Sequence, residues 1–78
     1  MKHTGALIKN PDTGRLLIRY SRSLYGNDLK RGAKLEIRTE VGWMAAVLDY
    51  DVETDRWFFK GQPYKYLPGL IVRTANII

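Results

Sequence analysis

The sequence predicts an all-β fold: a small barrel of five or six short antiparallel strands with no substantial helix. Three observations lead there. Six short runs rich in apolar, β-branched or aromatic residues are separated by turn formers at close intervals. The clearest run, residues 33–38, alternates with a period of two. No segment carries a convincing helical period.

The elements follow in order. Residues 5–9 are a short apolar run and a first strand. Residues 10–14, Asn-Pro-Asp-Thr-Gly, are a hairpin turn: Pro11 presets φ, Asp12 and Thr13 bond nearby backbone, and Gly14 accepts φ > 0. Residues 15–20 give the second strand, with Leu16, Ile18 and Tyr20 on one face and Leu17 and Arg19 on the other. Residues 21–30 hold Ser21, Ser23, Gly26, Asn27 and Asp28, all turn formers, with Leu24-Tyr25 as the expected hydrophobic anchor.

Residues 29–50 organise the chain. Lys30-Arg31-Gly32 reads as a turn. In the third strand Ala33, Leu35 and Ile37 point inward and Lys34, Glu36 and Arg38 outward. Residues 39–42 close a hairpin. The fourth strand, 43–50, places Met44, Ala46, Leu48 and Tyr50 on one face and Trp43, Ala45, Val47 and Asp49 on the other. Both faces are largely apolar, which predicts a central or doubly covered strand. Residues 51–55 are a turn. Residues 56–60, Arg-Trp-Phe-Phe-Lys, are a fifth strand favoured by its aromatics. Two prolines keep 61–68 out of a ladder. Residues 69–73 are a short last strand, and Ile77 and Ile78 belong to a tail that packs or frays.

The 78 residues make one domain, 1–78, without repeat, linker or low-complexity tract. A domain this small has a thin core, and no cysteine is present to supplement it with a disulfide or a Cys-based zinc site. Trp43, Trp57, Phe58 and Phe59 are the large buriable groups. The opening residues hold only a three-residue apolar run before a lysine, too short for a signal-peptide core or a membrane span. A soluble cytoplasmic protein is the expectation.

Charge is unevenly spread. The net is +5, made of +6 over residues 1–38, −5 over 39–55 and +4 over 56–78. A chain basic at both ends favours polyanionic partners.

Catalytic chemistry finds little support. Asp49, Asp51, Glu53 and Asp55 alternate like a calcium loop, but such a loop starting at Asp49 needs Gly at its sixth position and Glu at its twelfth. Those positions are Thr54 and Lys60, so the run reads as a solvated turn without a cleft. His3 is the lone histidine, and Ser21 and Ser23 flank Arg22 with no base nearby. No nucleophile–base arrangement, phosphate loop, metal site or cofactor site is expected.

The functional lead is the mixture of basic and aromatic residues in the two irregular loops. Arg19, Arg22, Lys30, Arg31 and Lys65 are the expected phosphate contacts, with Tyr25 and Tyr64 as stacking groups. Tyr20, Tyr25 and Tyr66 alternatively plug the barrel. The competing reading is a protein-interaction module, with Trp43 beside Trp57 or Phe59 forming an aromatic groove for an extended peptide.

The run of a hydrophobic residue and glycine, an alternating strand, a tight turn, Trp43-Met-Ala-Ala46-Val47 and a return strand resembles SH3-like and Tudor-like small barrels. Across most of the chain, Gly5-Ala-Leu-Ile, Leu24-Tyr25-Gly26, Gly32, Leu35-Glu36-Ile37, Gly42-Trp43, Leu48-Asp49-Tyr50, Trp57-Phe58-Phe59 and Gly69-Leu70 are similar to a family of small bacterial proteins of unknown function. The resemblance implies an SH3-like barrel and an origin in phages, prophages or conjugative elements. It transfers no activity. The chain departs from the family pattern at Val47, where members often carry Arg, and at Ile71, where they often carry a polar residue.

Overall fold

A computed structural model describes residues 2–76 and 78. Six antiparallel strands make one curled half-barrel, and no helix occurs among the described residues. The strands are β1 (His3–Lys9), β2 (Leu16–Arg19), β3 (Lys34–Thr39), β4 (Gly42–Asp51), β5 (Arg56–Phe59) and β6 (Ile71–Thr74). Their order across the sheet is β2-β1-β6-β3-β4-β5. The last strand thus lies between the first and the third, joining the β1–β2 hairpin to the β3–β4–β5 meander.

The alternation read from the sequence decides the faces. Each strand sends one side chain into the centre that is almost completely withdrawn from water: Leu7, Ile18, Ile37, Leu48, Phe59 and Val72. Leu16, Leu35 and Ala46 extend this core along the strands, and Leu29 and Leu67 close it from the loops. Burying a side chain of this size is worth about 1.5–3 kcal/mol. Because the sheet curls, its one inner face supplies most of the core, and the molecule is only 18 Å through its thinnest dimension.

Glycine is needed where backbones crowd. A side chain at Gly5 would meet the Arg19 carbonyl oxygen at 2.5 Å and the Ile18 side chain at 2.6 Å, so glycine there lets β2 pack closely on β1. Gly14 takes φ +73 to finish the first turn, donating its N–H to the Asn10 carbonyl at 2.8 Å.

The 21–30 segment is anchored differently from expectation. Leu24 and Tyr25 are 43% and 50% exposed. The anchor is Leu29, together with backbone bonds that lay the segment along the outer edge of β2: Tyr20 N–H to Leu24 O, Gly26 N–H to Ile18 O and Leu29 N–H to Leu16 O, at 2.7–2.8 Å. This covers the edge of β2. Among the described residues, β5 pairs only with β4. In the tail, the Ile78 N–H donates to the Tyr20 hydroxyl at 3.0 Å; Ile77 lies outside the described residues.

Candidate functional site

The two outermost strands come back toward each other because the sheet curls. Leu16 of β2 and Arg56 and Trp57 of β5 line the same groove. It consists of two adjoining hollows of about 690 and 360 Å³. Lys9, Gly14, Asp55 and Trp57 line both, so Trp57 stands where they meet.

Local structure explains each lining group. The first turn places Lys9 at the end of β1 and Arg15 just before β2. The 30–32 turn carries Lys30 and Arg31 and is pinned by the Gly32 N–H on the Leu48 carbonyl at 2.7 Å. The β4–β5 hairpin pairs Tyr50 with Trp57 on the inner face, with ring centroids 4.9 Å apart and planes tilted by 57°. Asp55 ends that hairpin turn at φ 56, a left-handed conformation unusual for a residue with a side chain. The 61–68 loop adds Lys65 and Tyr66. The groove therefore gathers six cationic side chains and three aromatic rings against a single carboxylate, that of Asp55.

Arg31 is tethered. Its guanidinium donates to the Asp49 carboxylate at 2.8 Å, and Lys60 lies 3.7 Å from the other oxygen. The hydrogen bond from Arg31 holds the Asp49 carboxyl below its ordinary range, with partial burial opposing. The Arg31 side chain stays 62% exposed. Asp49 thus orients Arg31 without removing it from solvent. Among the described residues no group of three or more His, Asp or Glu is placed to hold a metal ion.

Residues 5–74 match the domain of unknown function DUF5348. The chain belongs to that family. The crystal structure of a protein from Ruminococcus gnavus is similar to it, with TM-score 0.82 and 25% identity, covering 91% of this chain and 99% of that one. No curated protein matches the chain.

Within this family member the residues singled out from sequence separate into three places. Lys30, Arg31 and Lys65 are in the groove. Arg19, Arg22 and Tyr25 are at the edge of β2. There Arg19 donates to the Ser21 and Arg22 carbonyls at 3.2 and 3.3 Å, and its guanidinium lies 5.3 Å from the centre of the Tyr25 ring. Arg19 is therefore engaged in holding its own loop. Tyr64 packs half-buried against the core and lines a separate hollow with Arg38, Thr39, Glu40 and Val41. Its neighbour Tyr66 is the exposed tyrosine of that loop, at 76%. Of the three tyrosines considered as plugs, only Tyr20 packs against the core.

Lys9, Arg15, Tyr50 and Arg56 escaped the sequence reading, which had Trp57 only as a partner of Trp43 in a peptide groove and Tyr66 only as a plug. Hairpin arithmetic held a usable signal for Tyr50 and Trp57. A four-residue turn between Asp51 and Arg56 forces Tyr50 opposite Trp57 on one face. The acidic turn, read as having no cleft, borders one through Asp55. Trp43 does not join Trp57: it lies on the outer face, opposite Arg38, while Phe59 is fully buried. Val47 and Ile71 alternate with core residues and so also face outward, away from the groove.

Proposed function

We propose that the protein is a non-catalytic binding module that holds nucleic acid by its phosphates in the groove between β2 and β5. One observation carries the reading: cationic side chains from five separate segments converge on the Tyr50–Trp57 pair with one acid among them. Cations neutralise phosphates, and aromatic faces accept bases of any sequence. Without a nucleophile–base pair in the groove, binding is the role that its chemistry supports. His3 sits at the far end of β1 from Lys9, edge-on to Tyr20 at 6.4 Å.

The SH3-like reading of the barrel rests on the β3–β4–β5 meander and the strong curl of the sheet. A mobile-element origin is carried by the sequence resemblance, and a cytoplasmic setting by the lack of cysteine.

Fluorescence anisotropy of a labelled oligonucleotide, titrated with protein over a salt series, tests the proposal. Log affinity should fall linearly with log salt, by about 0.7–0.9 per phosphate contacted. An absence of binding at low salt, or affinity indifferent to salt, overturns it.

A further inference from the structure

We infer that the groove takes an unpaired nucleic-acid strand rather than a duplex, with a base stacked on Trp57 and phosphates held on either side. The inference rests on the nucleic-acid reading of the same groove. It starts from where the aromatic rings are. Trp57 is half-buried at the junction of the two hollows, braced by Tyr50 at 4.9 Å. A recessed ring meets the flat face of a base only if that base has left its stack. In a duplex the bases offer their edges, and those lie inside grooves that a recessed ring does not enter.

The charges repeat the argument. Arg15, Lys30 and Arg31 belong to the first hollow, and Arg56 and Lys65 to the second. A strand crossing Trp57 would thus find cations before and after the stacked base, where its successive phosphates run. Tyr66, 76% exposed in the second hollow, offers the next base a face.

The β1–β2 hairpin tip, which borders the groove through Gly14, is not built to read a duplex. Residues 10–14 include no Lys or Arg and one acid, Asp12. Asn10 accepts the Asp12 N–H at 2.9 Å and donates to Asp28 at 3.0 Å, so its side chain is engaged within the protein.

The test compares a fluorescein-labelled oligo-dT strand with the same strand annealed to oligo-dA, titrated with the full chain at one low salt concentration. The single strand should bind at least about tenfold more tightly. Trp57→Ala should weaken that binding by a factor of roughly 5–150, the range found for loss of one base–aromatic stack. Because Trp57 also packs on the core, Tyr66→Ala is the second variant; its exposed side chain can be removed without cost to the fold. It should weaken the single strand about fivefold or more and leave the duplex unchanged. Equal or tighter duplex binding overturns the inference while leaving the phosphate reading intact. A Tyr66→Ala variant that binds the single strand like the parent overturns the stacking. Failure of both probes to bind overturns both readings.

Discussion

Trp43 and Trp57 occupy matching positions in the chain and opposite positions in the molecule. Each is the second residue of its strand, just after a hairpin turn, and each is half-buried. Trp43 lies on the outer face beneath the Arg73 guanidinium, 4.3 Å from its ring centre. Arg73 is itself held by a forked pair of bonds to Glu36 at 3.1 and 3.3 Å, and Lys2 also reaches Glu36. Trp57 lies on the inner face where the core opens into the groove, among six cations of which Arg31 is paired with Asp49, and with Asp55 as the one acid in the lining. The difference teaches that an aromatic–cation neighbourhood has two outcomes. Where a carboxylate completes it, the protein has satisfied itself. Where cations outnumber carboxylates, charge and ring face are left for something else.

The largest expected effect tests the support beneath Trp57. Phe59→Ala removes the biggest fully buried side chain, two residues along the same strand, and should cost about 3–5 kcal/mol in urea unfolding. Next, the groove should outrank the outer face in binding. Lys30→Glu with Arg31→Glu should lower oligonucleotide affinity about tenfold or more and flatten the salt dependence by about two phosphate contacts. The same charge change at Lys34 and Arg38, on the outer face with Trp43, should leave the slope close to that of the parent. Equal effects from the two pairs would erase the distinction between the faces.

Arg73→Gln should cost about 1 kcal/mol by removing the cation over Trp43 and its pairing with Glu36. Acrylamide quenching of Trp43, read in a Trp57→Phe background, should rise, and quenching of Trp57, read in a Trp43→Phe background, should not. Asp55→Gly should change stability by less than about 0.5 kcal/mol, because relief of the left-handed conformation is offset by the entropy of glycine. Removing the one groove carboxylate should tighten oligonucleotide binding about twofold.

The smallest effect is on acid stability. Asp49 and Glu36 are both held below their ordinary values, by hydrogen bonds from Arg31 and from Arg73 respectively. A carboxyl depressed in the folded state stabilises the fold above its unfolded pKa, and that contribution is lost as pH falls through the folded value. The urea midpoint should therefore drop at acid pH, and Asp49→Asn should remove part of that drop. A midpoint flat through the acid range would show that neither pair matters to stability.

The strands were legible because apolar alternation and turn chemistry are local. All six appear, and Leu16/Ile18, Leu35/Ile37 and Ala46/Leu48 of the expected inward sets are buried, although Leu17 on the other face of β2 is buried as well. The site was legible only in part. Lys30, Arg31 and Lys65 were readable as basic loop residues. Lys9, Arg15 and Arg56 sit at strand ends, where a basic residue has no local signature, and they acquire meaning only by meeting across the curl. Arg19 reads in sequence like Lys30 and Arg31, a basic residue beside an irregular loop, but its guanidinium turns back onto the carbonyls of its own loop.

The sequence by itself determined that the chain makes strands, where each turns, and which side of the alternating third strand is buried, since a period of two and a Gly or Pro act within a few residues. It also fixed the excess of positive charge. Tertiary structure decided the rest: that β6 inserts between β1 and β3, that β2 and β5 curve back to share a groove, and that Trp57 rather than Trp43 opens into it. Those outcomes depend on contacts between residues far apart in the chain, which are set by how one curled sheet closes over a core too small for a second layer.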